Sequence, residues 1–149
     1  MSAVSATPVR IVIGTWDRLR DHAAQVRHEV FVLEQKVPPE IELDDEDAVS
    51  VHAVAYDAAG QPIGTGRLLP DGHIGRMAVR RQARGAGVGG QVLDALIAQG
   101  HGDGHRVLVL HAQTHAKSFY EAHGFQADGE EFVEAGIPHV AMTREIVRA

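Results

Sequence analysis

The sequence predicts a mixed α/β fold in a single domain of 149 residues, with a mostly antiparallel twisted sheet flanked by helices in the order β-α-βββ-α-β-α-β. Three observations predict it. Leu19, Ala23, Val26, Val30 and Leu33 recur at spacings of four and three, which is one face of a helix. Three apolar runs, 51–56, 63–69 and 74–79, follow one another with only short turns between them, the pattern of an antiparallel meander. A glycine-rich turn, Arg84-Gly85-Ala86-Gly87-Val88-Gly89-Gly90, then leads from the last run into a helical stretch that opens at Gln91.

The elements follow in order. Val9-Arg10-Ile11-Val12-Ile13 alternates like a strand, and Asp17 is the N-cap or a first-turn acid of a helix running to about Gln35. Val37-Pro38-Pro39 breaks that helix, and an acidic loop follows. Ala58-Ala59-Gly60-Gln61 and Pro70-Asp71-Gly72 are the meander turns. After the glycine turn and its helix comes a loop rich in glycine and histidine (100–105), then a buried-type strand, 106–111. A short helix, 116–123, ends at Gly124 as its C′ residue, and a final strand lies around 140–146.

Composition narrows the function. Hydrophobic residues at 44% and charged residues at 23% are ordinary for a soluble globular chain. A net charge of -6 argues against a general nucleic-acid binder. No apolar run approaches the length of a membrane span, and residues 1–10 lack an apolar signal core, so a cytoplasmic protein is the expectation. The absence of cysteine excludes disulfides, thiolate metal sites and cysteine nucleophiles.

The glycine turn carries the chemistry. At a helix N-terminus the first N–H groups have no intrahelical partners, and the helix dipole presents its positive end, so phosphate or pyrophosphate is the natural ligand. No Asp or Glu occurs between Gly72 and Leu93, whereas Arg76, Arg80, Arg81 and Arg84 do. Gly85-x-Gly87-x-x-Gly90 satisfies a Rossmann fingerprint literally, but the next strand ends in Leu110-His111-Ala112 without the ribose-binding acid. A Walker loop is excluded because no Gly-Lys-Ser/Thr follows. His101/His105 and His111/His115 have ligand spacing, yet neither pair sits within one predicted helix and there is no HExxH, so no metal is expected.

A second constellation follows Gln113. Ala116, Phe119, Tyr120 and His123 share one helical face; Phe119 and Phe125 read as core packing, whereas a buried Tyr120 needs a partner for its hydroxyl.

Taken together, Arg84-x-x-Gly87-x-Gly89 and Phe119-Tyr120-Glu121-x-x-Gly124-Phe125 resemble the pyrophosphate loop and the late tyrosine helix of the GCN5-related N-acetyltransferases (GNAT), whose element order is also similar. Arg27-x-x-Val30-Phe31-Val32-x-Glu34-Gln35-x-Val37-Pro38, Gly75-Arg76-Met77-Ala78-Val79 and Gly136-Ile137-Pro138-His139 resemble the small bacterial ElaA/YjcF-type members. The resemblance implies acetyl-CoA as co-substrate. Its pyrophosphate would meet the N–H groups from Ala86 through Val88 and Gly89 to Gly90, with Arg84, Arg81 or Arg80 reaching the phosphates. The strand carrying Met77-Ala78-Val79 would bulge and splay from its neighbour, so that main-chain groups of Met77 and Val79 pair with the pantetheine arm. Gln113 and Phe119 would complete the cofactor site.

The reaction implied is direct attack of a primary amine on the thioester, with Tyr120 protonating the departing thiolate. Glu34, His52, His73, His111 and His139 are candidate bases, Glu34 being favoured by its place before the substrate-side loop. The acceptor is a small-molecule amine or a protein lysine, and relatives are often homodimers. The run Glu40-x-Glu42-x-Asp44-Asp45-Glu46-Asp47 reads first as a solvated surface loop, or else as an attractor for a cationic acceptor. With Arg27, Phe31 and Arg67 it also resembles acyl-homoserine-lactone synthases, an alternative acyltransferase class. A non-catalytic CoA-binding sensor is the other alternative, and would be expected to lack Tyr120.

Overall fold

In the computed structural model, which describes residues 9–146, the meander joins its neighbours in one sheet. Its strands are β1 (Arg10–Thr15), β2 (Val51–Tyr56), β3 (Pro62–Leu68), β4 (His73–Val79), β5 (Val107–Gln113), β6 (Gln126–Ala127), β7 (Phe132–Glu134) and β8 (Ile137–Glu145). The spatial order is β1-β2-β3-β4-β5-β8-β6, with β7 also on β8. Every pairing is antiparallel except β4 with β5. The short β6 and β7 have no periodic signal in the sequence, and exist because β8 offers them an edge.

Helix α1 (Trp16–Arg27) covers one face of the sheet, and α3 (Val88–Gly102) with α4 (Lys117–Ala122) the other; α2 (Pro39–Glu42) is a single turn. Alternation in β2 divides the two cores: Val54 and Tyr56 pack with Leu19 and Ala23 of α1, while Ala53 and Ala55 join Val92 and Leu96 of α3. β3 is buried throughout and carries glycines where helices press closest; a Cβ on Gly66 would stand 2.5 Å from Met77 Sδ and 2.8 Å from Leu96 Cδ1.

Two expectations need correction. The first helix has Thr15 as its N-cap and Asp17 as its first-turn acid, the second of the two places expected for Asp17. That helix continues as a π-helical segment, His28–Glu34, whose wider turn ends the 3.6-residue period. Leu19, Ala23, Val26 and Val30 are buried as expected, but Leu33 no longer returns to their face and is 56% exposed. Further on, α3 extends into the expected glycine loop as far as Gly102, because Gly100 lets it approach β5: a Cβ there would meet Leu108 at 2.8 Å.

Two irregularities in β4 position the site. Opposite Thr65 and Arg67 of β3 stand Ala78 and Gly75, so β4 holds one extra residue, and Arg76 adopts φ 51°. This bulge reverses the alternation. Ile74 faces the α3 core before it, and Met77 and Val79 face that core after it, while Ala78 packs with Val26 and Val30. Next, β4 pairs with β5 only at His73–Val109 and Ile74–Leu110, and beyond that point the strands part.

Candidate active site

Where β4 and β5 separate, a cleft of about 1240 Å³ passes through the sheet. Glu34, Met77, Ala78, Val79, Arg84, Gln113 and Tyr120 all line it. The glycine loop stands at one end. Gly85 and Gly87 adopt φ 86° and 81°, a region open to glycine, and Gly87 is the N-cap of α3 with no side-chain cap. Gln91 N–H donates to Gly87 O at 3.1 Å, which leaves the N–H groups of Val88, Gly89 and Gly90 as the free first-turn donors. The space above Gly85 and Gly87 is open; beneath the loop, Phe119 and Val79 support Gly89, where a Cβ would lie 3.5 Å from each. Phe119 therefore backs the loop rather than lining the cleft, with the rings of Tyr120 and His123 each 5.0 Å away.

Only part of the arginine cluster faces this end. Arg84 Nε donates to Val79 O at 2.9 Å, and its two terminal nitrogens donate to Glu34 at 2.7 Å each, with Arg81 3.5 Å from the same carboxylate. The Arg84 hydrogen bonds hold the Glu34 carboxyl below its ordinary pKa. Arg80 is paired with Glu29, and Arg76 turns away to Glu42 O, Ile41 O and Asp44. Gln35 and Gln113 exchange amide hydrogen bonds of 3.3 and 2.9 Å across the cleft. Tyr120 is 9% exposed, and burial pushes its hydroxyl up to about 12. His52, a candidate base, lies away from the cleft lining, 1% exposed, against Trp16 and the Asp47 carbonyl.

The acidic run is not a solvated loop throughout. Arg27, 1% exposed, donates to Glu42 at 2.5 Å and to both oxygens of Asp47 at 2.7 and 3.1 Å. Arg67 donates to Asp44 and Asp47 at 2.6 and 2.8 Å. Three arginines (Arg27, Arg67, Arg76) thus balance three acids (Glu42, Asp44, Asp47), and the bonds from Arg76 hold the bulge at its positive φ. The sequence did contain a signal for this: Arg27 follows Ala23 by four residues, on the buried face of α1, where a cation needs acids.

Acid sensitivity follows. The Arg67 hydrogen bond holds Asp44 below the carboxylate range; Asp47 is raised by desolvation but lowered further by Arg27 and Arg67, with a net lowering. Their stabilisation is complete above the unfolded value near pH ~4 and is lost as pH falls through the folded values. Burial keeps His52 neutral, so the unfolded chain takes up that proton first and stability already declines below about pH 6.5. Urea unfolding from pH 7 to 3 is expected to give a shallow decline followed by a steep one, and His52→Gln to remove the shallow part.

The site is thus a mixed sheet parted between a bulged strand and its parallel neighbour, with an uncapped glycine helix start at the opening. The Acetyltransferase (GNAT) domain family matches residues 19–146, and the chain belongs to this family. It is 42% identical over 139 residues to the uncharacterized N-acetyltransferase YjcF of Bacillus subtilis, covering 91% of this chain and 98% of that one. Among solved structures it is similar to an acyl-CoA N-acyltransferase from Pseudomonas aeruginosa, with TM-score 0.82 and 31% identity over 92% of this chain and 99% of that chain. Escherichia coli ElaA is also similar, with TM-score 0.82 and 26% identity over 93% of this chain and 100% of that chain. Among the described residues no helix is long and apolar enough to cross a membrane.

Proposed function

We propose that the protein transfers an acetyl group from acetyl-CoA to a primary amine by direct attack in a ternary complex. The observation that carries this reading is the uncapped α3 N-terminus beside the parted strands: unpaired backbone donors at the end of one extended cleft. Val88, Gly89 and Gly90 N–H groups, with Ala86 beside them, would hold the pyrophosphate, and Arg84 would turn from Glu34 to a phosphate oxygen. The arm would run along β4, pairing with main-chain groups around Met77, Ala78 and Val79, and pass Gln113 on β5. Phe119 acts through the loop it supports.

Tyr120, protonated at any working pH because of its burial, is the proton donor to the departing thiolate. Glu34, a candidate base, is held by Arg84 at the glycine-loop end of the cleft and is free to accept a proton only once Arg84 releases it, so the base for the amine is sought at the other end. The acceptor is a small amine or a lysine side chain. Tyr120→Phe is expected to lower kcat about 100-fold, within the range for loss of a general acid, while acetyl-CoA binding by calorimetry stays within twofold. Unchanged turnover in that variant would remove Tyr120 from the mechanism. A wild type that binds no acetyl-CoA would overturn the reading as a whole.

A further inference from the structure

The end of the cleft away from the glycine loop holds a cluster that a cofactor at that loop leaves unused. His73 and His111 sit beside the last paired residues of β4 and β5, and alternation from Ile74 and Leu110 puts both on the α1 face. Their rings meet edge to face at 6.0 Å. His111 Nδ1 lies 3.0 Å from Glu134 Oε1, and Glu134 Oε2 lies 3.8 Å from His139 Nε2. On the other wall His73 Nδ1 lies 3.0 Å from Asp71 Oδ1, which also accepts from the His73 backbone N–H at 3.1 Å. Phe132 packs on His111 and His139 at 5.1 and 6.0 Å.

Charge gives the cluster its direction. The neighbouring Arg67 and Arg76 belong to the balanced network with Arg27, Glu42, Asp44 and Asp47. The side-chain partners of Asp71 and Glu134 are imidazoles, so with these neutral the mouth carries two carboxylate charges, at the end of β4 opposite Arg81 and Arg84. An ionised carboxylate only accepts hydrogen bonds, so the His111 proton sits on Nδ1 towards Glu134, and Nε2 is left as an acceptor.

We propose that this cluster is the acceptor site: Asp71 and Glu134 draw in a protonated amine, His111 takes its proton, and amines without an adjoining carboxylate are preferred. The proposal rests on the acetyltransferase reading. In the step, the ammonium gives one proton to His111 Nε2, and the freed lone pair forms the N–C bond to the acetyl carbon. The C–S bond breaks with its electron pair on sulfur, Tyr120 protonates the sulfur, and the tyrosinate regains a proton from the new amide nitrogen. The His111 proton leaves to solvent past Glu134 and His139. Besides contributing its charge to the mouth, Glu134 orients the His111 ring, and in the proton transfer it is a positioning residue that acts through His111.

The test compares 1,4-diaminobutane with ornithine, the same chain bearing a carboxylate, at saturating acetyl-CoA. The diamine is expected to have at least about tenfold higher kcat/KM, since each 1.4 kcal/mol of unfavourable charge contact is tenfold. His111→Gln is expected to lower kcat about 100-fold with acetyl-CoA affinity unchanged. Glu134→Gln should lower kcat with acetyl-CoA affinity unchanged, because the His111 ring loses the carboxylate that orients it, and Glu134→Asp should restore kcat in part; a merely structural role for Glu134 would give no such rescue. The proposal is overturned if ornithine equals or exceeds the diamine, if a wild type that binds acetyl-CoA acetylates neither, or if His111→Gln keeps kcat within threefold. Absence of acetyl-CoA binding by the wild type would instead strike the acetyltransferase reading beneath it.

Discussion

Replacing Gly87 with aspartate is expected to abolish acetyl-CoA binding. The residue stands at the mouth of α3 with φ 81° and open space where its Cβ would be, so a side chain there projects into the proposed pyrophosphate position. A carboxylate about 4 Å from a phosphate charge costs about 4 kcal/mol at the effective dielectric of a protein surface, which is more than 100-fold in affinity. The carboxylate would also accept hydrogen bonds from the α3 first turn, taking the donors meant for the ligand. Left-handed strain is a separate effect of about 1–2 kcal/mol on folding, and Gly87→Ala isolates it. Calorimetry on both variants, beside thermal melts, decides the matter: the site lies elsewhere if Gly87→Asp binds within tenfold of wild type.

Arg27→Met is expected to destabilise the fold by about 3–5 kcal/mol, the cost of leaving buried charges without their partner. Arg27 neutralises Glu42 and shares Asp47 with Arg67, and its guanidinium lies 5.4 Å over the Trp16 ring, so the loss includes packing as well as charge. The consequence reaches the cleft. Glu42 O holds Arg76 Nε at 3.0 Å, and Arg76 is the strained residue of the bulge that turns Met77 and Val79 towards the α3 core. Loosening the network is therefore expected to weaken acetyl-CoA binding in the folded variant as well. Adding Glu42→Leu should recover part of the stability, because it removes one orphaned charge. Urea titration of the single and double variants measures both effects, and a single variant within 1 kcal/mol of wild type would show that the network contributes little.

The glycine loop, the late tyrosine helix and the meander were legible because each is a local constraint. A positive φ calls for glycine at that residue, and a helical face repeats within one turn. Leu33 was misread for a reason equally local in effect but set elsewhere: the π-helical segment changes the period without any residue that announces it. The acidic run was half legible. Its charge was plain, but its burial depended on Arg27 and Arg67, which lie 15 to 23 residues from the acids they meet. Glu134 gave no signal, since only the β7–β8 pairing brings it to His111.

The order of the main elements, the glycine loop at α3 and the residues able to donate or accept protons were determined by the sequence alone, because backbone sterics and side-chain chemistry act at the residue itself. The parting of β4 from β5, the face each histidine occupies and the division of charges into a neutral buried network and an acidic mouth were decided only by the tertiary structure. Burial makes an unpaired charge costly, and which charges are buried depends on chain segments that meet only after folding.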